Sequence, residues 1–418
     1  MRQPTSPATP GMMPFQEAVE RLTSALKPLN ETVELTLESA RGMTLAETIK
    51  APLNLPPADN SAMDGYAVAS LQPESAHAGG RYLLRGEILA GQQWQDKLAP
   101  GECVRIMTGA ETPPGTTTVV MQENTRQEAD IIVLQEDSPA GNNIRPCGDD
   151  VAQGAVVLSP GKVLGVGDLG LLAALGVRQV SVVRPVRVAL LATGDELRLP
   201  EQMLAPGQIY ESNRLTVKLL LQNLPIELTD LGIVADDRAT LKATLQQAMS
   251  DHDLVVSTGG VSVGMADYTR EVLTELGEVD FWKVAIKPGK PVAFGRLGKG
   301  WFFGLPGNPV SALVTAHQLL VPAIEQLAGR PPQTPLTVKA RVTQAFTKKP
   351  GRLDFQRARL TLSADGEYTV SPVSGQGSHM LWSFSQANAY CPLAADSTGA
   401  EVGATVSVVP FLSDLTGR

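Results

Sequence analysis

The stretch Asp253 to Thr269, DLVVSTGGVSVGMADYT, ends an apolar run in Gly259 and Gly260, passes Ser262 and Gly264, and closes on Asp267. Bare backbone after a buried strand lets N–H groups approach a ligand closely, and the ligand most often held this way is a phosphate. Lys283, Lys287 and Lys290 follow within KVAIKPGKP, where prolines restrict the backbone beside them. They supply the local positive charge that a phosphate or another oxyanion requires. Acids gather in two further stretches, Asp195 and Glu196 in TGDEL and Asp236 and Asp237 in ADD. Carboxylates without paired histidines suit a hard cation, so Mg²⁺ is the expected metal if one takes part.

The elements that must position these residues are read from periodicity. From Val186 a run VRVALLAT precedes a helical stretch from Asn213, then come IELTDLGIV, RATLKATLQQAM, DLVVS, YTREVLTEL, VDFWKVAI, PVAFGRL and WFFGLP, closed by the helix PVSALVTAHQLLVPAIEQL. Apolar strands alternating with helices predict an α/β domain with a largely parallel sheet. Ligands of such sheets bind beyond the carboxyl ends of the strands. The five loops TGDEL, ADD, STGGVSVGMAD, KVAIKPGKP and GLPGNP are therefore expected on one rim, with acid on one side and lysine on the other. Each has a plainer reading as well. Asp267 is placed to cap the helix after it, Asn308 and Pro309 form a good N-cap and N1 pair, and Asp236 with Asp237 fit a solvated turn.

Between about Ala51 and Glu136, short apolar runs broken by Gly and Pro predict a mostly β module. It carries polar stretches of its own, DNSAMDGYAV and RIMTGAETP, with NIRPCGDDV just beyond, which together read as a second binding surface. Residues after Thr337 return to strand-like runs. GVGDLGLLAALGV contains a literal G-x-G-x-x-G, but its glycines fall at and inside a helix start and no acid follows about twenty residues on, so helix capping and close packing explain it. The chain has no Walker A sequence and no H-x-x-x-H pair, which argues against a P-loop enzyme and a zinc protease. His379 stands alone in GQGSHM.

Composition narrows the class. The 418 residues predict two to four domains, and a 43% hydrophobic fraction supports ordinary cores. Aromatics at 5% and a formal net charge of -8 argue against a nucleic-acid partner. Three scattered cysteines, Cys103, Cys147 and Cys391, form no metal or disulfide pattern. With no signal-peptide pattern in the opening residues and no apolar run of spanning length, a cytoplasmic protein without a membrane partner is expected.

DNSAMDGYAV, RIMTGA, TGDEL, STGGVSVGMADYT, AIKPGKPVAFG, GLPGNPVSA and GRLDFQR occur in that order and span most of the chain. Together they resemble the molybdopterin molybdenumtransferase family, the bacterial MoeA type, similar to the C-terminal enzyme domain of gephyrin. The resemblance implies an elongated, multi-domain subunit of class α/β plus β: a discontinuous helical and β linker domain at residues 14–50 and 144–183, a β module at 51–143, an α/β three-layer molybdopterin-binding domain at 184–334 resembling molybdopterin adenylyltransferase, and a C-terminal β domain at 335–418. It also implies a homodimer whose active cleft lies between the α/β domain of one subunit and the β module of the other.

The implied reaction takes adenylated molybdopterin and molybdate, cleaves the adenylate with Mg²⁺, and releases molybdenum cofactor and AMP. Catalytic roles fall on Asp64, Thr108, Glu196 and Asp267, with Glu196, Asp236 and Asp267 holding the metal. Substrate contacts fall on Arg145, Asp150, Lys283, Lys287, Pro306, Pro309 and Ser378, to which the reading of the loops themselves adds Gly259, Gly260, Ser262 and Lys290. Contact with molybdopterin adenylyltransferase and downstream cofactor-handling proteins follows from the place of such an enzyme in its pathway. Arg145 is followed by Pro146 and Cys147, where family members often present further arginines, so this cleft has less positive charge. Two rival readings are adenylyl transfer onto molybdopterin, which needs no β module, and a gephyrin-like scaffold, which relies on an extra N-terminal domain and linker.

Overall fold

The computed structural model describes residues 11–260, 267–411 and Leu415. Helix α1 (Phe15–Ala25) buries Ala18 and Leu22 on one face, as its spacing predicts. The strand Thr32–Thr36 pairs antiparallel with Gln179–Val183, and Ile49–Lys50 pairs with Val156–Leu158. Segments on either side of the β module are thus stitched to each other. They share a small core of Met43, Leu45, Leu164, Leu172 and Val182. Helix α2 (Val166–Ala174) opens where the G-x-G-x-x-G lies, and the Gly165 amide donates to Asp168 Oδ2 at 2.8 Å. Capping is the observed use of that segment.

The β module is built on one sheet of six strands, β1 (Gly65–Val68), β2 (Arg81–Ile88), β3 (Glu102–Ile106), β4 (Thr118–Met121), β5 (Thr125–Glu128) and β6 (Ile131–Leu134), in spatial order β4-β1-β3-β2-β6-β5. Side chains alternate across it: Tyr66 and Val68 join one apolar cluster, Ala67 and Ala69 the other. Both faces of β1 are buried, which fixes its register.

The α/β domain follows. Its sheet comprises β7 (Val186–Thr193), β8 (Ile226–Val234), β9 (Leu254–Thr258), β10 (Gly277–Lys283), β12 (Pro291–Leu297) and β13 (Gly300–Leu305), ordered β8-β7-β9-β13-β12-β10, while a short strand β11 (Ile286–Lys287) leaves it. β8, β7, β9 and β13 are parallel; β12 runs antiparallel to both β13 and β10. Helices α3 (Asn213–Leu221), α4 (Arg238–Asp251), α5 (Asp267–Leu276) and α6 (Pro309–Thr315) cover it. The odd and even residues of β7 feed two separate cores, Val188 and Leu190 on one face, Ala189 and Leu191 on the other. That is why the run reads as continuously apolar.

The last helix of this domain departs from a single regular stretch. After α6 the backbone widens into a π-turn at Ala316–Leu320 before α7 (Val321–Leu327). Pro322 lies at the start of α7, and a proline ring collides with the carbonyl four residues back in a regular α-helix, so a wider turn relieves the clash.

In the C-terminal domain, β14 (Val338–Val342), β15 (Leu353–Leu362), β16 (Tyr368–Pro372), β17 (Ala389–Leu393) and β18 (Thr405–Pro410) follow the order β15-β16-β14-β18-β17, and β17 pairs back onto β15 to close a barrel. β11 pairs in parallel with the first residues of β15, on the side opposite β17. Phe355, Tyr390 and Phe411 pack into the same core as Leu190, Val256 and Leu313, so this domain shares one face of the α/β sheet. The VDFWKVAI stretch, read as one strand, is therefore divided between two sheets.

Candidate active site

The rim loops follow the sheet order. The Asp236 loop lies beyond β8, Glu196 beyond β7, Gly259 and Gly260 beyond β9, and Pro306 beyond β13; the lysine loop lies between β10 and β12. β10 runs parallel to β13 through their shared neighbour β12, so its carboxyl end opens onto the same rim. Acids therefore occupy one end, lysines the other, and the glycines the middle.

At the acid end, Asp237 spends its Oδ1 on the amides of Ala239 and Thr240, both at 3.0 Å, and caps α4. Asp236 has no such duty. Its amide donates to Asp195 Oδ1 at 3.2 Å, and its own buried Oδ1 finds no partner. Desolvation raises its carboxyl above the ordinary range, and the charges of Asp195 and Glu196 add to the rise. Glu196 is exposed beside it.

Two turns of the central loop demand glycine. Gly259 has φ +88°, and a Cβ there would meet the Thr193 carbonyl oxygen at 2.8 Å. Gly260 has φ +70°, and its Cβ would stand 3.0 Å from both the Thr193 and Thr269 hydroxyls. The Gly259 amide donates to the Leu305 carbonyl at 3.2 Å, tying this loop to GLPGNP. Asp267 is the first residue of α5; its side chain lies outside the described residues, as does Ser262.

GLPGNP is held by neighbours rather than by its own asparagine. Asn308 takes the N-cap position of α6 with Pro309 at N1, yet its side chain makes no capping bond. Instead Asn213 Nδ2 donates to the Gly307 carbonyl at 2.7 Å, and the Val310 amide donates to the Ser378 carbonyl at 3.0 Å. Ser378 thereby satisfies an otherwise free helix N–H from another domain. Its loop is fixed by Arg357, a fully buried guanidinium whose Nη2 donates to the carbonyls of Gly375 (3.1 Å) and Gly377 (3.3 Å), and whose Nε donates to Ser383 Oγ at 3.0 Å. Its Nη1 is buried without a partner.

The three lysines are not equivalent. Lys283 is exposed, and its carbonyl accepts from the Met13 amide at 2.8 Å. Lys287 donates through Nζ to Asp354 Oδ2 at 3.0 Å, while Lys290 is half-buried. Pro306 is buried.

A second polar surface forms on the β module. Asp64, just before β1, accepts the Thr108 amide at 2.7 Å and the Thr108 hydroxyl at 2.8 Å on the same oxygen. Those two bonds hold its carboxyl below the ordinary range, the backbone bond contributing most. Arg145 pairs with Asn60, and the Cys147 amide donates to Asp59 Oδ1 at 2.7 Å. DNSAMDG, RIMTGA and NIRPCGDD are thus brought together. Arg145 and Asp150 are exposed there. Among the described residues no hydrogen bond or ion pair joins Asp64 to the α/β rim of the same chain.

Sequence reasoning missed Asp354, Asn213 and the way Ser378 acts through its carbonyl. GRLDFQR carried Asp354, but nothing local marks a residue whose partner lies on a strand 67 positions away. Among the described residues no three acids, histidines or cysteines form a ready metal cluster. Mg²⁺ commonly takes only one or two carboxylates and completes its shell with water and substrate phosphate. The orphaned Asp236 oxygen beside two further acids fits that mode.

Three family models match in order: MoeA N-terminal region (domain I and II) over residues 13–176, probable molybdopterin binding domain over 189–326, and MoeA C-terminal region (domain IV) over 339–411. The chain is 42% identical over 404 residues to a molybdopterin molybdenumtransferase of Haemophilus influenzae, covering 96% of this chain and 99% of that one. It is 34% identical to molybdopterin molybdenumtransferase 2 of Mycobacterium tuberculosis, over 94% of this chain and 97% of that one. A crystal structure of the molybdopterin biosynthesis MoeA protein from Pyrococcus horikoshii superposes with a TM-score of 0.80 at 28% identity, covering 96% of this chain and all of that one. The chain belongs to the molybdopterin molybdenumtransferases, transferases of molybdenum cofactor biosynthesis.

Proposed function

We propose that this protein inserts molybdate into adenylated molybdopterin and releases AMP with the finished cofactor. The observation that carries the reading is the order of the rim: unpaired acid at one end, lysine at the other, and close-approach glycines between them. A substrate with a pyrophosphate link and an incoming oxyanion needs both ends. Amides beside Gly259 and Gly260 and the lysines Lys283, Lys287 and Lys290 bind oxyanion charge, with Pro306, Pro309 and Ser378 shaping the floor. Glu196, Asp236 and Asp267 would hold Mg²⁺. When bound, the metal neutralises charge on the adenylate oxygens.

Asp64, held by two bonds from Thr108, is a fixed, ionised acid on the β module, and Arg145 and Asp150 on the same module contact the substrate. The reading includes a homodimer that sets the β module of one subunit over the rim of the other; among the described residues no hydrogen bond joins Asp64 to the rim of its own chain. There Asp64 orders the attacking oxygen. A cytoplasmic location, and hand-over contacts with molybdopterin adenylyltransferase and with downstream acceptors, complete the proposal. In the described residues no helix is long and apolar enough to cross a membrane.

The test is AMP release from adenylated molybdopterin with Mg²⁺, with and without molybdate, for wild type, Asp267→Ala and Glu196→Gln. Molybdate-dependent release that collapses in both variants supports insertion. Release indifferent to molybdate would make the protein an adenylate hydrolase, and no release would overturn the reading.

A further inference from the structure

Lys287 is a rim lysine that the α/β domain does not place by itself. β11 departs from the sheet after β10 and pairs in parallel with β15, Ile286 opposite Leu353 and Lys287 opposite Asp354. The Leu353 amide donates to the Ala285 carbonyl at 2.9 Å, and Arg352 Nη1 reaches the Ile286 carbonyl at 3.5 Å. Two domains therefore grip one short segment of the rim.

The ion pair on that segment is asymmetric. The Asp354 side chain is 2% exposed, whereas Lys287 keeps 37% of its surface open. Asp354 Oδ2 accepts from Lys287 Nζ at 3.0 Å and from Gln356 Nε2 at 3.2 Å, and Gln356 is itself anchored on the Thr347 carbonyl at 2.8 Å. The other cations nearby are committed elsewhere. Lys348 Nζ donates to the carbonyls of Ala394, Ala395 and Ser397, Arg357 serves the Gly375 loop, and Arg352 serves Ile286. A buried carboxylate requires a partner, and Lys287 is the cation it bonds.

We infer that Asp354 is a positioning residue, the internal counter-ion that fixes Lys287 at the rim and tempers its attraction for an oxyanion. This rests on the rim being the oxyanion site proposed above. The buried carboxylate holds the ammonium while 37% of the lysine side chain stays open to receive an anion. A free lysine has several rotamers and would bind an anion in several geometries, only some productive. Removing the carboxylate therefore has two opposite effects. The anion loses a nearby like charge and binds more tightly, and the lysine loses its fixed position and supports turnover less well.

The experiment compares wild type, Asp354→Asn, Asp354→Glu, Lys287→Gln and the Asp354→Asn/Lys287→Gln double variant. Molybdate binding is followed by calorimetry, molybdate-dependent AMP release by chromatography, and folding by thermal unfolding. Asp354→Asn is expected to bind molybdate roughly five times more tightly while its turnover falls about tenfold. Asp354→Glu should restore part of the turnover, and the double variant should be no slower than Lys287→Gln. Weaker binding and slower turnover in proportion, with a lower melting temperature, would reduce Asp354 to a structural residue and overturn the inference. Losses that multiply in the double variant would overturn it too, because Asp354 would then not act through Lys287. A wild type that binds no molybdate would remove the reading of the rim, and this inference with it; binding by wild type with a failed Asp354 series removes the inference alone.

Discussion

The two ends of one rim are built differently. The acid end comes from loops after β7 and β8 and is assembled within the α/β domain: Asp237 caps α4, Asp195 receives the Asp236 amide, and Asp236 is left with an unpaired oxygen. At the lysine end two domains meet. β11 is a strand of the C-terminal sheet, Lys287 is paired with Asp354, and the first turn of α6 is completed by the Ser378 carbonyl. One end keeps a buried carboxylate oxygen without a partner, and the other holds one of its three lysines in an ion pair between domains. An unsatisfied carboxylate is suited to a cation that arrives with substrate, whereas a lysine must be held if it is to orient an anion rather than merely attract it.

That contrast can be broken from the middle. Gly259→Ala places a Cβ 2.8 Å from the Thr193 carbonyl at a φ of +88°, so the loop joining both ends must move. The expected cost is about 3 kcal/mol in urea unfolding, with AMP release lost alongside. A variant that unfolds like wild type and keeps its turnover would show that the central turn does not set the rim.

The next variant addresses the lysine end alone. Arg357→Met leaves the carbonyls of Gly375 and Gly377 and the Ser383 hydroxyl without their donor, although it also removes the orphaned Nη1. Destabilisation of about 2 kcal/mol is expected by thermal unfolding. Oxyanion affinity should fall while the magnesium response persists. Loss of both together would mean that the ends are not independent.

The acid end should respond in the opposite direction. The Asp236 carboxyl is raised in the folded state, chiefly by desolvation, so it binds its proton more tightly folded than unfolded. Its stabilising contribution is present in acid and is lost as pH rises through the raised value; above it the ionised group is a cost. Asp236→Asn is therefore expected to be more stable than wild type at pH 7, with the difference shrinking toward acid pH, and to lose the response to Mg²⁺. Melting curves across pH, with and without magnesium, check this; a variant less stable than wild type at pH 7 would contradict it.

The smallest effect lies off the rim. Thr108→Ala removes the hydroxyl donor but keeps the amide bond to Asp64, so the Asp64 carboxyl should move partway back up toward its ordinary range. Carboxyl NMR titration reads the shift, and thermal unfolding should not change. An unmoved Asp64 would mean that the backbone bond alone sets it.

Much of this was legible in the residues. The alternation from Val186 to Leu327 gave the parallel strands and covering helices, because apolar runs of strand length and helical faces are local patterns. The rim followed from chain direction, since loops after parallel strands share an edge. Asn308 was legible as a cap position but not as an unused cap. Its place in GLPGNP is local, whereas the Ser378 carbonyl that does the bonding comes from another domain.

What the sequence determined alone is which residue types stand at the ends of strands: glycines in the middle, acids at one side, lysines at the other. Only the tertiary structure decided which of them are free. Asp237 is consumed by a helix and Asp236 is not, and Lys287 is tied to a carboxylate 67 positions away. The physical reason is that side-chain type and period are encoded in neighbouring residues, while pairing depends on which distant strands share an edge, and that is settled by the packing of whole domains.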